Sequence, residues 1–598
     1  MYDNSEELFL DRLPPFALCS LAILIAHRTL HLARKQPSQI SNNPCNQFNR
    51  ISRTGDSLYY RSMISTRRLI LLLFVTALLF PTTGAFTTPL QSSSKTHHLL
   101  QAHSDKDWNL NVAIVGAGPS GLLLAHKLLQ STIPVANIDV FESRSDPRDL
   151  HKQQGSRAYA LGLGIRGRSA IATVDEDLWT AVKKRGFECE RFRLHLNQKL
   201  NVKLRDAEKG VEPSVLIYQS DLCSGLLDEL EVRASDLSQC TVKVHHETFI
   251  SKVDLANASM ETNEQKKGPY DLIVGCDGAN SIVRNALETY SPPNTFQFTR
   301  RRLLPGCFKV ARCENMPPLL DQNSVALVLP ESKALGVTAF VEPTVDGGCC
   351  ILFAGKLSDA SKSEEEGQTG DLNSLLFPDP NLRDEDNHSD VGLTKEMIFE
   401  QFPLLEGTPG MDDAVQQLLN QRTSVADSIK CNTYTSPSTI TPTALCGDAA
   451  HATGGVSGQG CNSALIDAAV LADCLTENYH PAKTDDINIA ATKKAMLHQS
   501  LQSYSIKQVP EGLALYDLSF GNDGNTLPIF RNIKSTLSNV IDTIFGGRFG
   551  LGKKPLNTLL SSSLDSFTYI RRDRQKYYVE EFPSDEELQK QLESVYDV

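Results

Sequence analysis

Asn111-Val112-Ala113-Ile114-Val115-Gly116-Ala117-Gly118-Pro119-Ser120-Gly121, running directly into the apolar Leu122 to Leu129, is the stretch that decides the fold. A β-branched run ending in Gly116, Gly118 and Gly121 predicts a strand, a tight turn and a helix N-terminus. Gly116 permits the bend, Gly118 lets the backbone approach a phosphate without a Cβ in the way, and Gly121 lets the helix pack on the strand. The helix, opening at Pro119 and Ser120, then turns its unpaired N–H groups and positive dipole end toward an anion. About twenty residues on, Ile138-Asp139-Val140-Phe141 predicts a second strand, and Glu142 at its end offers a carboxylate to ribose hydroxyls. Glycines alone fit any tight βα turn, but strand, triplet, helix, second strand and terminal acid together point to a dinucleotide.

Outward from that unit, 598 residues suffice for two or more domains with a substantial core. A net charge of −12 argues against a nucleic-acid surface. The fourteen cysteines are scattered, with no CxxC pair and no metal-ligand spacing, which predicts buried thiols of a reduced compartment and no metal.

Residues 1–85 stand apart, with nine Arg/Lys against five Asp/Glu. Leu69 to Phe80 is too short for a bilayer, which takes ~20 residues, and has the length of a signal-peptide core. Arg67-Arg68 precede it and Pro81 to Ala85 supply a turn and small residues for cleavage before Phe86. The expectation is a signal peptide over 63–85 with translation starting at Met63, residues 1–62 being an upstream extension, and a transit-like linker over 86–108. Ala85-Phe86 resembles the cleavage motif of bipartite plastid presequences. Plastid import and the secretory pathway or endoplasmic reticulum are thus the two expected destinations, and Phe16 to Ala26 keeps a short membrane anchor open as an alternative.

Along the mature chain, Gly155 to Ile171 reads as an extended segment entering a helix, with Arg157 a candidate cofactor contact and Arg166 and Arg168 solvated helix-face charges. Leu200 to Leu204, Ser214 to Tyr218 and Cys240 to His246 predict strands, Asp221 to Glu231 a helix, and the polar Asn257 to Gly268 a loop. Asp271 to Gly275 predicts a buried strand leading to Asp277-Gly278, where a carboxylate at a strand's edge can shape a ligand site, although Asp-Gly is also a common turn. Thr443 to Gly447-Asp448 repeats the pattern. A Gly-rich loop with Gly458, Gly460 and Asn462 follows, then the apolar helix Ser463 to Leu475, so that Asp448 and the helix N-terminus face one ligand. His451 in that loop reads as structural rather than as a base.

Between Phe296 and Tyr434 the pattern changes. Cys307 to Arg312, Ser324 to Leu329, Gly336 to Val341 and Gly348 to Gly355 predict an antiparallel sheet, interrupted by an acidic, flexible insertion over 356–390. Leu497 to Val598 reads as helical, and its stripe Ile529, Ile533, Leu537, Val540, Ile541, Ile544 as core, with a peripheral membrane face as the alternative. The fold expected is α/β: a Rossmann-like cofactor-binding domain in two parts, 109–300 and 436–490, interleaved with an antiparallel-sheet substrate domain over 301–435, and a C-terminal helical region over 491–598.

Gly116-x-Gly118-x-x-Gly121 with Glu142, then Asp277-Gly278, then Gly447-Asp448, in that order, resemble the class A flavoprotein monooxygenases of the aromatic hydroxylase fold. Ser156-Arg157-x-x-x-Leu161 with Arg166-Gly167, Gly447-Asp448-Ala449-Ala450-His451 with Gly458-Gln459-Gly460-x-Asn462, and Tyr504-Ser505-x-x-x-x-Pro510 are similar to the kynurenine 3-monooxygenase branch. The resemblance covers Asn111 to Tyr578. It implies FAD held by Gly116, Gly118, Pro119, Ser120, Gly121, Glu142, Arg157, Asp277, Gly278, Gly447, Asp448, Gly458, Gly460 and Asn462. It further implies NAD(P)H as a transient co-substrate and transfer of one atom of O2 to a small aromatic or unsaturated metabolite, by hydroxylation or epoxidation. The cofactor carries that chemistry, in keeping with the lack of a Ser/His/Asp or metal constellation. Two positions depart from the pattern: Gly455 where the family usually has Pro, and Gln219 where the branch has Arg. Arg193 then remains as the candidate grip on a substrate carboxylate. Gly455 leaves open two alternatives, a flavin-dependent reductase of the same fold and a non-catalytic flavin-fold partner protein.

Overall fold

The computed structural model describes residues 108–149, 160–205, 213–236, 240–263, 265–332, 335–355, 372–377, 391–454, 457–481, 488–520, 556–578 and 580–596. The expected Met63 start, signal peptide and linker up to residue 107, Arg157, Gly455 and the 529–544 stripe lie outside the described residues.

Strands in chain order are β1 (Leu110–Val115), β2 (Val135–Phe141), β3 (Ala160–Leu163), β4 (Phe187–Cys189), β5 (Arg191–His195) and β6 (Asn201–Arg205). Then come β7 (Ser214–Tyr218), β8 (Thr241–His245), β9 (Ile250–Asp254), β10 (Ser259–Thr262), β11 (Lys266–Lys267) and β12 (Leu272–Gly275). After them follow β13 (Phe298–Cys313), β14 (Ser324–Val328), β15 (Thr338–Pro343), β16 (Cys349–Gly355), β17 (Ser424–Cys431) and β18 (Thr443–Leu445). The helices are α1 (Pro119–Gln130), α2 (Ile165–Ala172), α3 (Glu176–Lys183), α4 (Gln219–Asp236), α5 (Ile282–Tyr290), α6 (Leu372–Leu376) and α7 (Val391–Gln401). They continue with α8 (Met411–Asn420), α9 (Gly460–Asn478), α10 (Ile489–Phe520), α11 (Leu556–Ser562), α12 (Phe567–Asp573) and α13 (Asp585–Tyr596).

A five-stranded parallel sheet in the order β18-β12-β1-β2-β8 forms the first layer. Its central strand is apolar on both faces because helices cover both: Val112, Ala113 and Ile114 are fully buried. Pro119 starts α1 at the position where its missing N–H costs nothing, and the helix buries Leu122, Leu123, Leu124 and Leu128 against α9 and α4.

The second layer is a seven-stranded sheet in the order β17-β13-β16-β15-β14-β5-β6. One face packs on α6, α7 and α8 through Val341, Ile351, Phe353, Phe402 and Val415. The expected antiparallel sheet is present but mixed and larger, because β5 and β6 join it from residues 191–205 and β5 pairs with β14 in parallel. A three-stranded sheet, β3-β7-β4, lies against it.

Three further expectations are corrected. The polar segment 257–268 is not a loop: β10 pairs with β9 and β11 with β10, and Ser259 and Met260 of β10 are buried. Within the acidic insertion 356–390, α6 is ordered, with Leu372, Leu376 and Phe377 fully buried, so an apolar triplet outweighs the surrounding composition; the rest of the insertion lies outside the described residues. Arg166 is not a solvated charge. The residue is 3 % exposed, and its guanidinium donates to the carbonyls of Leu560 and Asp565 at 2.5 Å each and stacks 4.6 Å from the Phe567 ring, tying the last helices to α2. Burial lowers its pKa to about 10. Glu511 of α10 completes that junction by accepting from the Phe567 and Thr568 N–H groups at the start of α12. The described cysteines carry free thiols, most of them buried, as expected.

Candidate functional site

Four neighbouring parallel strands end on one edge, and each ending is a sequence feature singled out above. β1 runs into the glycine turn, β2 into Glu142, β12 into Asp277-Gly278 and β18 into Gly447-Asp448. In open α/β sheets the carboxyl edge is where ligands bind. The glycines are held there by backbone contacts. Gly116 has φ +105°, and a Cβ on it would meet the Cys276 carbonyl oxygen at 2.3 Å; one on Gly121 would meet the Gly116 oxygen at 2.1 Å. Around Gly118 a Cβ would meet nothing within 4 Å, and no side chain caps α1. The turn is thus tight against the sheet and open on its outer side, where the first N–H groups of α1 face a ligand.

The acids differ in what they already do. Glu142 Oε2 accepts from the Ala117 N–H at 3.0 Å and Oε1 from the Arg144 N–H at 2.9 Å, so the carboxylate braces the turn as well as closing β2. Burial pushes its pKa up, and the Arg144 guanidinium and backbone outweigh that and hold it low. A ribose would share Glu142 with Arg144, whose side chain is 64 % exposed. Asp277 Oδ2 accepts from the Ile282 N–H at 2.7 Å and caps α5, while Oδ1 is buried without a partner. Asp448 is accessible to solvent yet crowded by protein on all sides, as a residue lining a cleft must be. Desolvation raises the pKa of both Asp277 and Asp448.

At the start of α9, Thr453 Oγ1 and Gln459 Oε1 are buried and unpartnered. A Cβ on Gly460 would lie 3.9 Å from Asp448 Oδ1 and 4.0 Å from Thr453 Oγ1, so these groups surround one helix N-terminus that no side chain caps. Gly278 and Gly458 have positive φ and open space beside them. Buried orphan acceptors and open N–H donors along one cleft suit a ligand that carries both hydroxyls and phosphate.

Asn462 is a correction. Its carboxamide oxygen accepts from the Gly164 and Gly167 N–H groups at 3.0 and 3.2 Å, and its nitrogen donates to the Gly162 and Gly458 carbonyls. With both ends committed it braces β3 and α2 against the Gly-rich loop instead of offering a side chain to a ligand. His451, expected to be structural, is buried with Nε2 2.6 Å from Asp467 Oδ2, an oxygen that also accepts from the Gly447 N–H at 2.9 Å. One carboxylate on α9 therefore anchors both ends of the Gly447 turn. Sequence reasoning passed over Arg284. It is 1 % exposed, donates to Ala449 O at 3.0 Å and Ala279 O at 2.7 Å, and so staples the Asp277-Gly278 turn to the Gly447-Asp448 turn. Only its place in the first turn of the helix after Asp-Gly could have signalled it.

Residues 109–343 match the FAD binding domain family. The chain is 26 % identical over 431 residues to the kynurenine 3-monooxygenase of Neurospora crassa, covering 69 % of this chain and 77 % of that one. It is likewise 26 % identical over 422 residues to the Salinispora tropica kynurenine 3-monooxygenase, covering 69 % and 79 %. The chain is similar to FAD-dependent monooxygenases of the aromatic hydroxylase type. A crystal structure of 2-methyl-3-hydroxypyridine-5-carboxylic acid oxygenase superposes with a TM-score of 0.50 at 15 % identity, covering 80 % of this chain and all of that one, and shows the same fold.

In this monooxygenase the face of the seven-stranded sheet opposite α6–α8 is turned toward the cofactor-binding half. β17 reaches the Gly-rich loop through Ile429 N–H to Ala452 O at 2.9 Å, and Val310 and Cys350 pack with Ala160 and Tyr218. Cross-strand partners share a face, so Phe308 with Ala354, Val310 with Leu352 and Phe340 with Leu352 line it. Phe308, Phe340, Leu352 and Ala354 are only half-buried, whereas Ala339, Val341, Ile351 and Phe353 on the other face are at most 1 % exposed. One face is a packed core; the other is a less completely buried apolar wall on which the three-stranded sheet lies.

Arg193 is not on that wall. It pairs in register with Ala326, a residue of the packed face, and its guanidinium lies 3.4 Å from Asp321. A one-residue step along β5 puts Phe192 on the wall with Phe340 and Arg193 on the opposite face.

Proposed function

We propose that this monooxygenase binds FAD along the carboxyl edge of the five-stranded sheet. Gly116, Gly118, Ser120 and Gly121 receive the pyrophosphate, Glu142 the adenosine ribose, and Asp277, Gly278, Gly447, Asp448, Gly458 and Gly460 the ribitol and the polar edge of the flavin. The observation that carries this assignment is the convergence of four strand ends on one cleft whose buried acceptors, Asp277 Oδ1, Thr453 Oγ1 and Gln459 Oε1, lack protein partners. FAD held there would supply the chemistry, accepting reducing equivalents from NAD(P)H and activating O2. The protein's part is to hold that group by hydroxyl and phosphate contacts, to lay a small aromatic or unsaturated metabolite on the apolar wall of Phe308, Phe340 and Leu352, and to keep water from the reacting atoms. Among known substrates, kynurenine is suggested by the named relatives.

The test is NADPH oxidation by the purified chain from Phe86 onward across a panel of aromatic and terpenoid compounds, with hydrogen peroxide recorded alongside. A compound that accelerates NADPH consumption while peroxide stays low, and that gains labelled oxygen, bears the reading out. Bound flavin with NADPH ignored, or every turnover released as peroxide, overturns it.

We also propose delivery to a plastid or to the secretory pathway, on the strength of Arg67-Arg68, the apolar run Leu69 to Phe80 and Ala85-Phe86. The N-terminus of the native protein, read by peptide sequencing, should be Phe86 or close to it; any peptide from Asp3 to Arg61 rules out the Met63 start.

A further inference from the structure

A recess of about 470 Å³ opens at the amino edge of the five-stranded sheet, opposite the cofactor cleft. It lies between the turn joining β9 to β10, the segment that leads into β18 and the first turns of α10. Its volume is that of a small-molecule site. Alanines on two sides, Ala256 and Ala258 of the turn and Ala490 of α10, leave the space open, and the buried Pro442 and Leu497 give it an apolar inner end. From Asp271 at this edge to Asp277 in the cofactor cleft the chain runs six residues along β12, about 20 Å of strand. The two sites share no residue.

The polar groups around the recess are unequally matched. Asp271 is fully committed: Oδ2 accepts from the Asn111 N–H at 2.8 Å and Oδ1 from Lys493 Nζ at 2.9 Å, and the same ammonium donates to the Asn109 carbonyl. The Tyr270 hydroxyl donates to Asp139. Lys494 is different. Its ammonium donates to the Thr439 carbonyl at 3.2 Å, and among the described residues no carboxylate comes within ion-pair distance of it. The positive end of α10, whose first residues Ile489 and Ala490 line the same space, adds to that charge. One uncompensated cation over an apolar recess selects an anion with an apolar body, because the anion gains a charge-assisted hydrogen bond and the body loses water. We infer that this recess binds a small organic monocarboxylate, its carboxylate on Lys494 and its apolar part against Ile440, Pro442 and Leu497. The site stands apart from the monooxygenase reading and does not depend on it.

The experiment compares 4-phenylbutyrate with 4-phenylbutanol, which share ring and chain and differ in the carboxylate, in calorimetric titrations of the purified holoprotein, Lys494→Met and Ala490→Trp. Wild type is expected to bind the acid roughly tenfold or more tightly than the alcohol, the scale of one hydrogen bond between charged groups. Lys494→Met keeps the length of the side chain without its charge, so it should erase the preference by weakening the acid and leaving the alcohol unchanged. Ala490→Trp fills the recess from an exposed position of α10 and should abolish binding of both. No binding of either compound by the wild type, equal binding of the two, or a preference that survives in Lys494→Met overturns the inference. So does binding that persists in Ala490→Trp, which would place the compound elsewhere, in the cofactor half or on the seven-stranded sheet. The titrations need no turnover, so their outcome is separate from the NADPH and peroxide measurement that decides the monooxygenase reading.

Discussion

The two sheets of this protein carry function in opposite ways. In the five-stranded sheet the chemistry lies in strand endings, where backbone atoms of different segments come within contact distance and only certain residue types fit. In the seven-stranded sheet it lies in strand middles, where any apolar residue fits either face and the register decides which face is which. The first kind of information is written in residue identity; the second is written in pairing, which a single chain read end to end does not display.

The largest effect should come from the closest backbone contact. Gly116→Ala places a methyl 2.3 Å from the Cys276 carbonyl at φ +105°, a clash that backbone on both sides keeps from relaxing. We expect little soluble protein and no bound flavin. Gly278→Ala, at φ +75° with nothing within 4 Å of the new methyl, should cost only about 1 kcal/mol. Similar melting temperatures for the two variants would mean that strand endings tolerate side chains as freely as strand middles.

Asp448→Ala comes next. Its carboxylate lines the cleft and holds no part of the fold together, so the melting temperature of the flavin-free protein should not change. FAD affinity should fall roughly tenfold to a hundredfold, the value of one charge-assisted hydrogen bond. Full flavin occupancy in a purified Asp448→Ala sample would remove this residue from the site.

How much was legible follows the same division. Gly116, Gly121, Asp277 and Gly447 stood out because each occupies a place that a Cβ or an apolar side chain could not, and the order of their motifs carried the fold class with them. Arg284 and Asn462 were illegible in role, since both act on partners far away in sequence: Arg284 on Ala449, Asn462 on Gly164 and Gly167. Arg166 misled because a helix-face arginine reads as solvated until the C-terminal carbonyls that receive it are known. Composition concealed α6 in the same manner, three buried apolar residues being outvoted by the acidic residues around them.

The parallel sheet also has a signature in pH. His126 of α1 is fully buried and donates from Nε2 to the Leu226 carbonyl of α4 at 2.8 Å, leaving Nδ1 without a partner. A second proton would place an unanswered N–H in the core, and desolvation accordingly lowers its pKa from 6.5 to about 4. Between those values the unfolded chain binds a proton that the folded chain refuses, so stability is intact above pH 6.5 and falls as pH drops toward 4. The loss from this one residue is about 1 kcal/mol at pH 5.5 and ~3 kcal/mol by pH 4. Melting temperatures of wild type and His126→Gln across that range check it. The variant's amide can still donate to Leu226 but cannot titrate, so its acid decline should be shallower, and equal slopes would refute the assignment.

The smallest effect is expected at Arg193, and it is the sharpest test of how the second sheet is read. Residue type alone makes it a grip for a substrate carboxylate; its register with Ala326 makes it a member of the packed face with Asp321 as partner. Arg193→Gln should leave substrate affinity within error and cost less than about 1 kcal/mol, because Arg191 also faces Asp321 and a partly exposed ion pair is worth little. If instead Arg193→Gln raised KM severalfold while the melting temperature held, β5 would have to be shifted by one residue against β14. Every residue on both faces of that strand would then exchange sides, and Phe192 would lose its contact with Phe340.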